Sequence, residues 1–379
     1  MNKKPVVLII ENSIDVTGAL KSITSVAVGL KEHYDFQFVI PSGSRSRFWI
    51  ERMGFSQIHE LPMVEISKRV SSLIRYFPLL LLNTFRLRMI VKREKVDLIH
   101  ANDLYNLLPV VYKMVGGVTR YVCHIRFLPD RFPKALFNVW LRLHQRYAAK
   151  IISVSHAVSK QLDDHPKNTV VYDELPIQEQ YPETPESGTN KTEFTFLYLS
   201  NFMEGKGQNF ALTAFAKIHN SLPHWRLRFV GSDMGLSKNR AYKLRLKEMA
   251  QSFHVVQKVE LAEFTNDVEM EYKQASIVLN FSESESFSMT CAEALYFGRP
   301  LIATDCGGPS EIIDNGVTGV LVSNKNVNDM AEAMIRLALE KAARDTMGLK
   351  ARQTIREKFH VIKTTFRIKE VYDIMLKRK

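Results

Sequence analysis

Short apolar runs alternate with amphipathic stretches along most of this chain. Residues 5–10, 36–40, 96–100, 121–125 and 151–158 read as strands, several of them continuous runs of Val, Ile and Leu, as in sheets buried on both faces. A second series follows at residues 194–200, 225–230, 255–264, 275–281 and 301–304. Between them lie helical patterns, the first opening at Gly18 and running to about residue 30. Residues 290–297, 327–348 and most of 351–379 are helical by the same criterion. The strand–loop–helix–strand succession predicts doubly wound α/β domains, in which ligands bind beyond the carboxyl ends of the strands. Residues 183–190 are rich in Pro, Ser, Gly and charge and read as a linker. The domain expectation is therefore residues 1–183, residues 191–355 and a terminal helix at residues 356–379.

The most informative stretch lies between the strand at 275–281 and the next helix. Glu285 and Glu293 bracket that strand-to-helix turn, with Phe287, Ser288 and Met289 between them. Thr290 and Glu293 fit a capping box, with Thr at the N-cap and Glu three residues on. A helix N-terminus carries free N–H groups and partial positive charge, a seat for phosphate or sugar oxygens. Gly298 and Pro300 end the helix. Then come a strand, the glycine-rich Cys306-Gly307-Gly308 and a new helix start.

This run resembles the donor-binding core of glycosyltransferase family 4, whose pattern is E-x7-E, G-x-P-V-I-A-T-x-x-G-G-x-x-E and G-x-x-G. The resemblance implies the GT-B fold, two Rossmann-like domains facing a central cleft, with the last helix returning to the first domain. It also implies a retaining transfer from a nucleotide diphosphate sugar to a hydroxyl acceptor. Glu293 would hold the nucleotide ribose and Glu285 the donor sugar. Backbone N–H groups around Phe287, Ser288 and Met289 would meet sugar or phosphate oxygens, Ser288 standing where the family has glycine. Lys206, within Gly205-Lys206-Gly207, matches the lysine that neutralises the diphosphate. Asn201 stands where the family carries arginine and brings no charge. Gly18 lies in the N-terminal loop, which has lost one of two usual glycines, Thr17 preceding it. His124 lies where the family often carries a sugar-contacting histidine and is favoured over His100. Glu285, His124 and Lys206 are thus the candidate catalytic residues. No cofactor is implied beyond a UDP- or GDP-linked donor. No Asp-x-Asp occurs in the chain, so no metal site is expected.

The 379 residues carry a formal net charge of +12, which suits nucleotide phosphate, anionic lipid or nucleic acid. No nucleic-acid motif accompanies it. The three cysteines are scattered and fit a reducing cytosol. The first apolar run is too short for a signal-peptide core, and no stretch reaches the roughly 18 apolar residues of a membrane span. A cytoplasmic enzyme of cell-surface glycan synthesis is expected, either free or peripheral on the inner face of the membrane. Between Lys68 and Lys95 stand eight basic residues and one acid. Pro78 divides this stretch and is expected to start a helix. Leu79, Leu80, Leu87, Ile90 and Val91 form its core stripe. The opposite face mixes Arg86, Arg88, Lys92, Arg93 and Lys95 with Leu81, Leu82, Phe85 and Met89. That face either docks on anionic lipid, for a lipid-linked acceptor, or packs against a neighbour. A nucleotide-sugar epimerase of the same fold and a catalytically silent nucleotide- or carbohydrate-binding protein are the other readings.

Overall fold

The computed structural model of the chain describes residues 3–63, 70–129, 133–162, 164–173, 193–358 and 361–377. Two compact units emerge: Met1–Ile177 with Val361–Lys379, and Gln178–His360. The expected linker, 183–190, lies outside the described residues.

The first unit runs β1 (Val6–Ile10), α1 (Gly18–Leu30), β2 (Asp35–Pro41), α2 (Ser46–Arg52), β3 (Ile58–Leu61), α3 (Val70–Glu94) and β4 (Leu98–Ala101). It continues with α4 (Leu108–Met114), β5 (Arg120–Ile125), α5 (Lys134–Tyr147), β6 (Lys150–Ser153), α6 (His156–Ser159) and β7 (Asn168–Val170). The seven strands form one sheet in the order β3-β2-β1-β4-β5-β6-β7, and every pairing is parallel. The order reverses beside β1, which places the loop after β1 next to that after β4. All five residues of β1 are buried, as a central parallel strand requires. Thr17 caps α1 by accepting the Leu20 N–H at 3.2 Å.

The second unit holds β8 (Phe194–Leu199), α7 (Gln208–Ile218), β9 (Trp225–Val230), α8 (Ser237–Ser252), β10 (Val259–Ala262), α9 (Val268–Gln274) and β11 (Ile277–Asn280). After these come α10 (Met289–Tyr296), β12 (Leu301–Thr304), α11 (Pro309–Ile312), β13 (Val320–Val322), α12 (Val327–Leu339) and α13 (Lys341–Lys358). Its parallel sheet has the order β10-β9-β8-β11-β12-β13, so the loops after β8, β11 and β12 are neighbours.

The last helix, α14 (Val361–Lys377), packs in the first unit. Its buried Tyr372 bonds His100 Nδ1 at 2.8 Å. Tyr34 donates to Asp373 at 2.6 Å, and Arg120 donates to the Met375 carbonyl at 2.7 Å.

Two helix boundaries depart from expectation. The helical run 327–348 breaks at Glu340, and Gly348 lies inside α13. A Cβ on Gly348 would stand 2.3 Å from the Gly298 carbonyl oxygen, so this glycine permits close packing rather than ending a helix. Pro78 starts no helix but lies within α3. It is exposed there, so water can serve the carbonyl that a proline leaves without a donor. Leu80, Leu87, Ile90 and Val91 of α3 are buried, whereas Phe77, Leu81, Phe85 and Met89 are 63%, 62%, 62% and 50% exposed. Among the described residues no helix is long and apolar enough to cross a membrane.

Candidate active site

In the second unit, three neighbouring loops converge at the carboxyl edge of the sheet. Lys206, after β8, pairs with Glu285, after β11, at 2.7 Å. Ser282 also donates to Glu285, at 2.8 Å. The Glu285 backbone joins the loop after β12, accepting the Gly308 N–H at 2.7 Å and donating to the Cys306 carbonyl at 3.3 Å. Tyr198 fixes the Lys206 backbone: its hydroxyl donates to the Lys206 carbonyl at 2.5 Å and accepts the Phe281 N–H at 2.7 Å. Two glycines make this convergence sterically possible. A Cβ on Gly207 would lie 1.9 Å from the Phe281 carbonyl oxygen, and one on Gly308 would lie 2.4 Å from Phe287 Cα.

The expected capping box is not formed. Helix α10 begins at Met289, and its cap is Ser288, whose hydroxyl accepts the Cys291 N–H. Ser288 holds φ +78°, a left-handed conformation that glycine adopts more cheaply, and the Asn280 amide donates to its hydroxyl at 3.0 Å. Thr290 is already inside the helix and donates to the Leu199 carbonyl at 3.3 Å. Glu293 instead accepts a 2.9 Å hydrogen bond from Tyr272 of α9. The Phe287 side chain is buried. Asn201 ties two loops together: its side-chain oxygen accepts the Ser232 N–H at 3.3 Å, and its carbonyl accepts the Gln208 amide at 2.9 Å.

In the first unit, a buried polar network lies at the carboxyl ends of β1, β4 and β5. Arg126 donates to Asn102 Oδ1 at 2.7 Å and to His124 Nδ1 at 3.1 Å, and pairs with Asp173. Ser22 donates to the same Asp173 oxygen at 2.7 Å. Asn102 donates to Glu11, which accepts the Ser13 N–H and hydroxyl at 2.8 and 2.6 Å. Burial and the Arg126 charge hold the His124 imidazole well below its usual pKa. His100, its neighbour with ring centroids 5.5 Å apart, is pushed down to about 3 by burial and by Arg126. Neither histidine's Nε2 has a partner among the described residues.

Two family patterns match the chain: "Glycosyltransferase Family 4" over residues 16–172 and "Glycosyl transferases group 1" over residues 181–354. The chain belongs to glycosyltransferase family 4. A glycosyltransferase of Methanocaldococcus jannaschii described as uncharacterized is 24% identical, covering 83% of this chain and 84% of that protein. The N-acetyl-alpha-D-glucosaminyl L-malate synthase of Bacillus anthracis is 26% identical over 49% of this chain and 47% of its own length. Among solved structures, Anabaena HepE in complex with UDP and glucose superposes with a TM-score of 0.81 at 18% identity, covering 97% of this chain and 99% of that one. At that identity the likeness establishes the fold, GT-B.

In this glycosyltransferase, the residues singled out from sequence divide between the two units. Lys206, Glu285, Phe287, Ser288, Met289, Glu293 and Asn201 gather in the second, Lys206 touching Glu285 directly. Gly18 and His124 belong to the first. Gly18 is the exposed first residue of α1, while His124 is only 2% exposed and gripped from the side by Arg126. The expected sugar-facing histidine is thus an interior member of a network in this conformation. Sequence reasoning missed Arg126, Asp173, Asn102, Glu11, Tyr198 and Tyr272. Arg126 alone left a signal, standing two residues beyond His124 at a strand end.

Proposed function

We propose that this glycosyltransferase retains anomeric configuration and works without a metal ion, moving a sugar from a UDP- or GDP-linked donor to a hydroxyl of a glycolipid or polysaccharide precursor. The observation that carries this reading is the Lys206–Glu285 pair beside the N-terminus of α10. On this reading the ammonium neutralises a leaving diphosphate, the carboxylate accepts sugar hydroxyls, and the helix end adds positive potential. HepE, crystallised with UDP and glucose and also with UDP-glucose, supports a nucleotide-sugar partner. The name of the Bacillus anthracis synthase supports transfer to a hydroxyl. Asp-x-Asp, a common cation holder on diphosphates, is missing from the sequence, which supports metal independence. The acceptor side rests on α3, whose exposed apolar residues are flanked by Arg88, Lys92 and Arg93 and suit an anionic membrane surface.

The test is a transfer assay with UDP- and GDP-sugars after a thermal-shift screen, with product anomers assigned by NMR. Transfer with retained configuration and unchanged rate in EDTA is expected. Inverted product, or activity abolished by EDTA and restored by magnesium or manganese, overturns the mechanism.

A further inference from the structure

We propose that Tyr272 is a positioning residue that sets how strongly this enzyme discriminates the ribose of its nucleotide, acting through Glu293. The inference rests on the reading of Glu293 as the ribose-binding carboxylate. Tyr272 lies near the end of α9, one helix before the loop that carries Glu285, and its side chain is fully buried. Its ring stacks on Phe297, with centroids 4.9 Å apart and planes at 18°. Its hydroxyl lies 2.9 Å from Glu293 Oε2 and 3.2 Å from the Thr290 carbonyl. Both are acceptors, so the phenol proton can only be given away. Burial, with the Glu293 charge beside it, pushes the phenol pKa well above its usual value. The hydroxyl therefore stays a donor at every working pH.

A glutamate has three side-chain torsions and, on a helix surface, samples several rotamers. One hydrogen bond from a rigid, stacked ring removes that freedom and pins one carboxylate oxygen. Each carboxylate oxygen has two acceptor sites, so capacity remains for ligand hydroxyls. A carboxylate held before the ligand arrives binds it without a further ordering cost. The discrimination that results belongs to the hydroxyls, not to the base or the phosphates.

The experiment compares binding of UDP and GDP with their 2′,3′-dideoxy counterparts by calorimetry, in the wild type and in Tyr272→Phe. The substitution keeps the stacked ring and deletes only the donor. The wild type is expected to favour the ribonucleotide by about tenfold or more, the worth of one charge-assisted hydrogen bond. Tyr272→Phe is expected to reduce that preference to about threefold or less, with dideoxy affinity unchanged. A loss of fold would instead weaken both ligands together. Placing Tyr272→Phe on Glu293→Ala gives a cycle in which the second change should leave the ratio unaltered. Tyr272→Phe with the wild-type ratio overturns the role of the tyrosine alone. A wild type that binds both ligands equally overturns the ribose reading of Glu293 and this proposal with it.

Discussion

Lys206 and Glu285 already satisfy each other before any donor arrives, and their removal separates stability from catalysis. The pair is about four-fifths buried on both sides, so it falls between an exposed bridge worth under about 1 kcal/mol and a buried one whose disruption costs about 3–5 kcal/mol. Lys206→Ala or Glu285→Ala leaves the partner's charge largely enclosed without its counter-charge and should lower the melting temperature by a few degrees. Removing both leaves no orphan charge, so the double variant should melt closer to the wild type than either single one. Activity should behave differently. Each single change is expected to cost on the order of 100- to 1000-fold in kcat, and the double change no less. Recovery of turnover in the double variant, measured alongside its melt, would refute the catalytic assignment. At this scale the sequence singled out Lys206 and Glu285, which the structure brings together, and Gly207 and Gly308, which leave room for the loops to meet. It misled where geometry decides. Thr290 and Ser288 are equally good capping residues on paper. The left-handed turn at Ser288 starts the helix two residues earlier, which turns Thr290 inward and hands Glu293 to Tyr272.

Helix α3 shows how far an element can be read from its pattern. The stripe of Leu80, Leu87, Ile90 and Val91 is buried as its spacing requires, and Leu79 is half-buried. The pattern could not show whether the other face was covered. In the structure Leu81, Leu82, Phe85 and Met89 are exposed, so packing against a neighbouring helix does not account for them. The proline was misread because a proline about two turns into a long helix has the same local signature as one at a helix start. Arg88 donates to the Val115 carbonyl at 2.9 Å, and Met114, Val115 and Val118 are themselves exposed, so the apolar surface extends beyond α3 to the end of α4. Such a mixed surface should bind vesicles containing anionic lipid and release them at high salt. Replacing Arg86, Arg88, Lys92 and Arg93 by Gln should abolish co-sedimentation, and replacing Phe77, Leu81 and Phe85 by Ser should weaken it even at low salt. Binding that ignores both lipid charge and these substitutions would leave α3 without its membrane role.

For the molecule as a whole, the parallel sheets were legible because each strand is a short apolar run, whereas the return of α14 to the first unit was implied only by the family resemblance, since the contacts that hold it carry no sequence signal of their own: Tyr34 with Asp373, Arg120 with the Met375 carbonyl, and Tyr372 with the buried His100. The last of these contacts has a consequence for pH. His100, His124 and His144 are all buried and neutral, with pKa values pushed to about 3, well below the usual 6.5, and about 4, mainly by burial. Unfolding frees each to take a proton below about pH 6.5. The stability they carry is therefore complete above that pH and drains as pH falls toward the folded-state values. Asp103 runs the other way. Burial holds its carboxyl protonated up to about 8, so its contribution is full at low pH and drains as pH rises toward that value. At pH 5 the unfolded chain gains about three protons at the histidines while the folded chain keeps one at Asp103, a net of about two favouring unfolding. Near pH 7.5 the three histidines are neutral in both states, and of these four groups only Asp103 still gives a slope, of the opposite sign. All four groups lie in the first unit, so that unit, with α14, should yield to acid ahead of the second. The three tryptophans separate the units: Trp49 and Trp140 report the first, Trp225 the second. Urea melts of a variant retaining only Trp140 should show a midpoint that drops steeply between pH 6.5 and 5. A variant retaining only Trp225 should shift much less. A Trp140 midpoint that holds or rises over that interval would mean the buried histidines are not what ties the first unit to neutral pH.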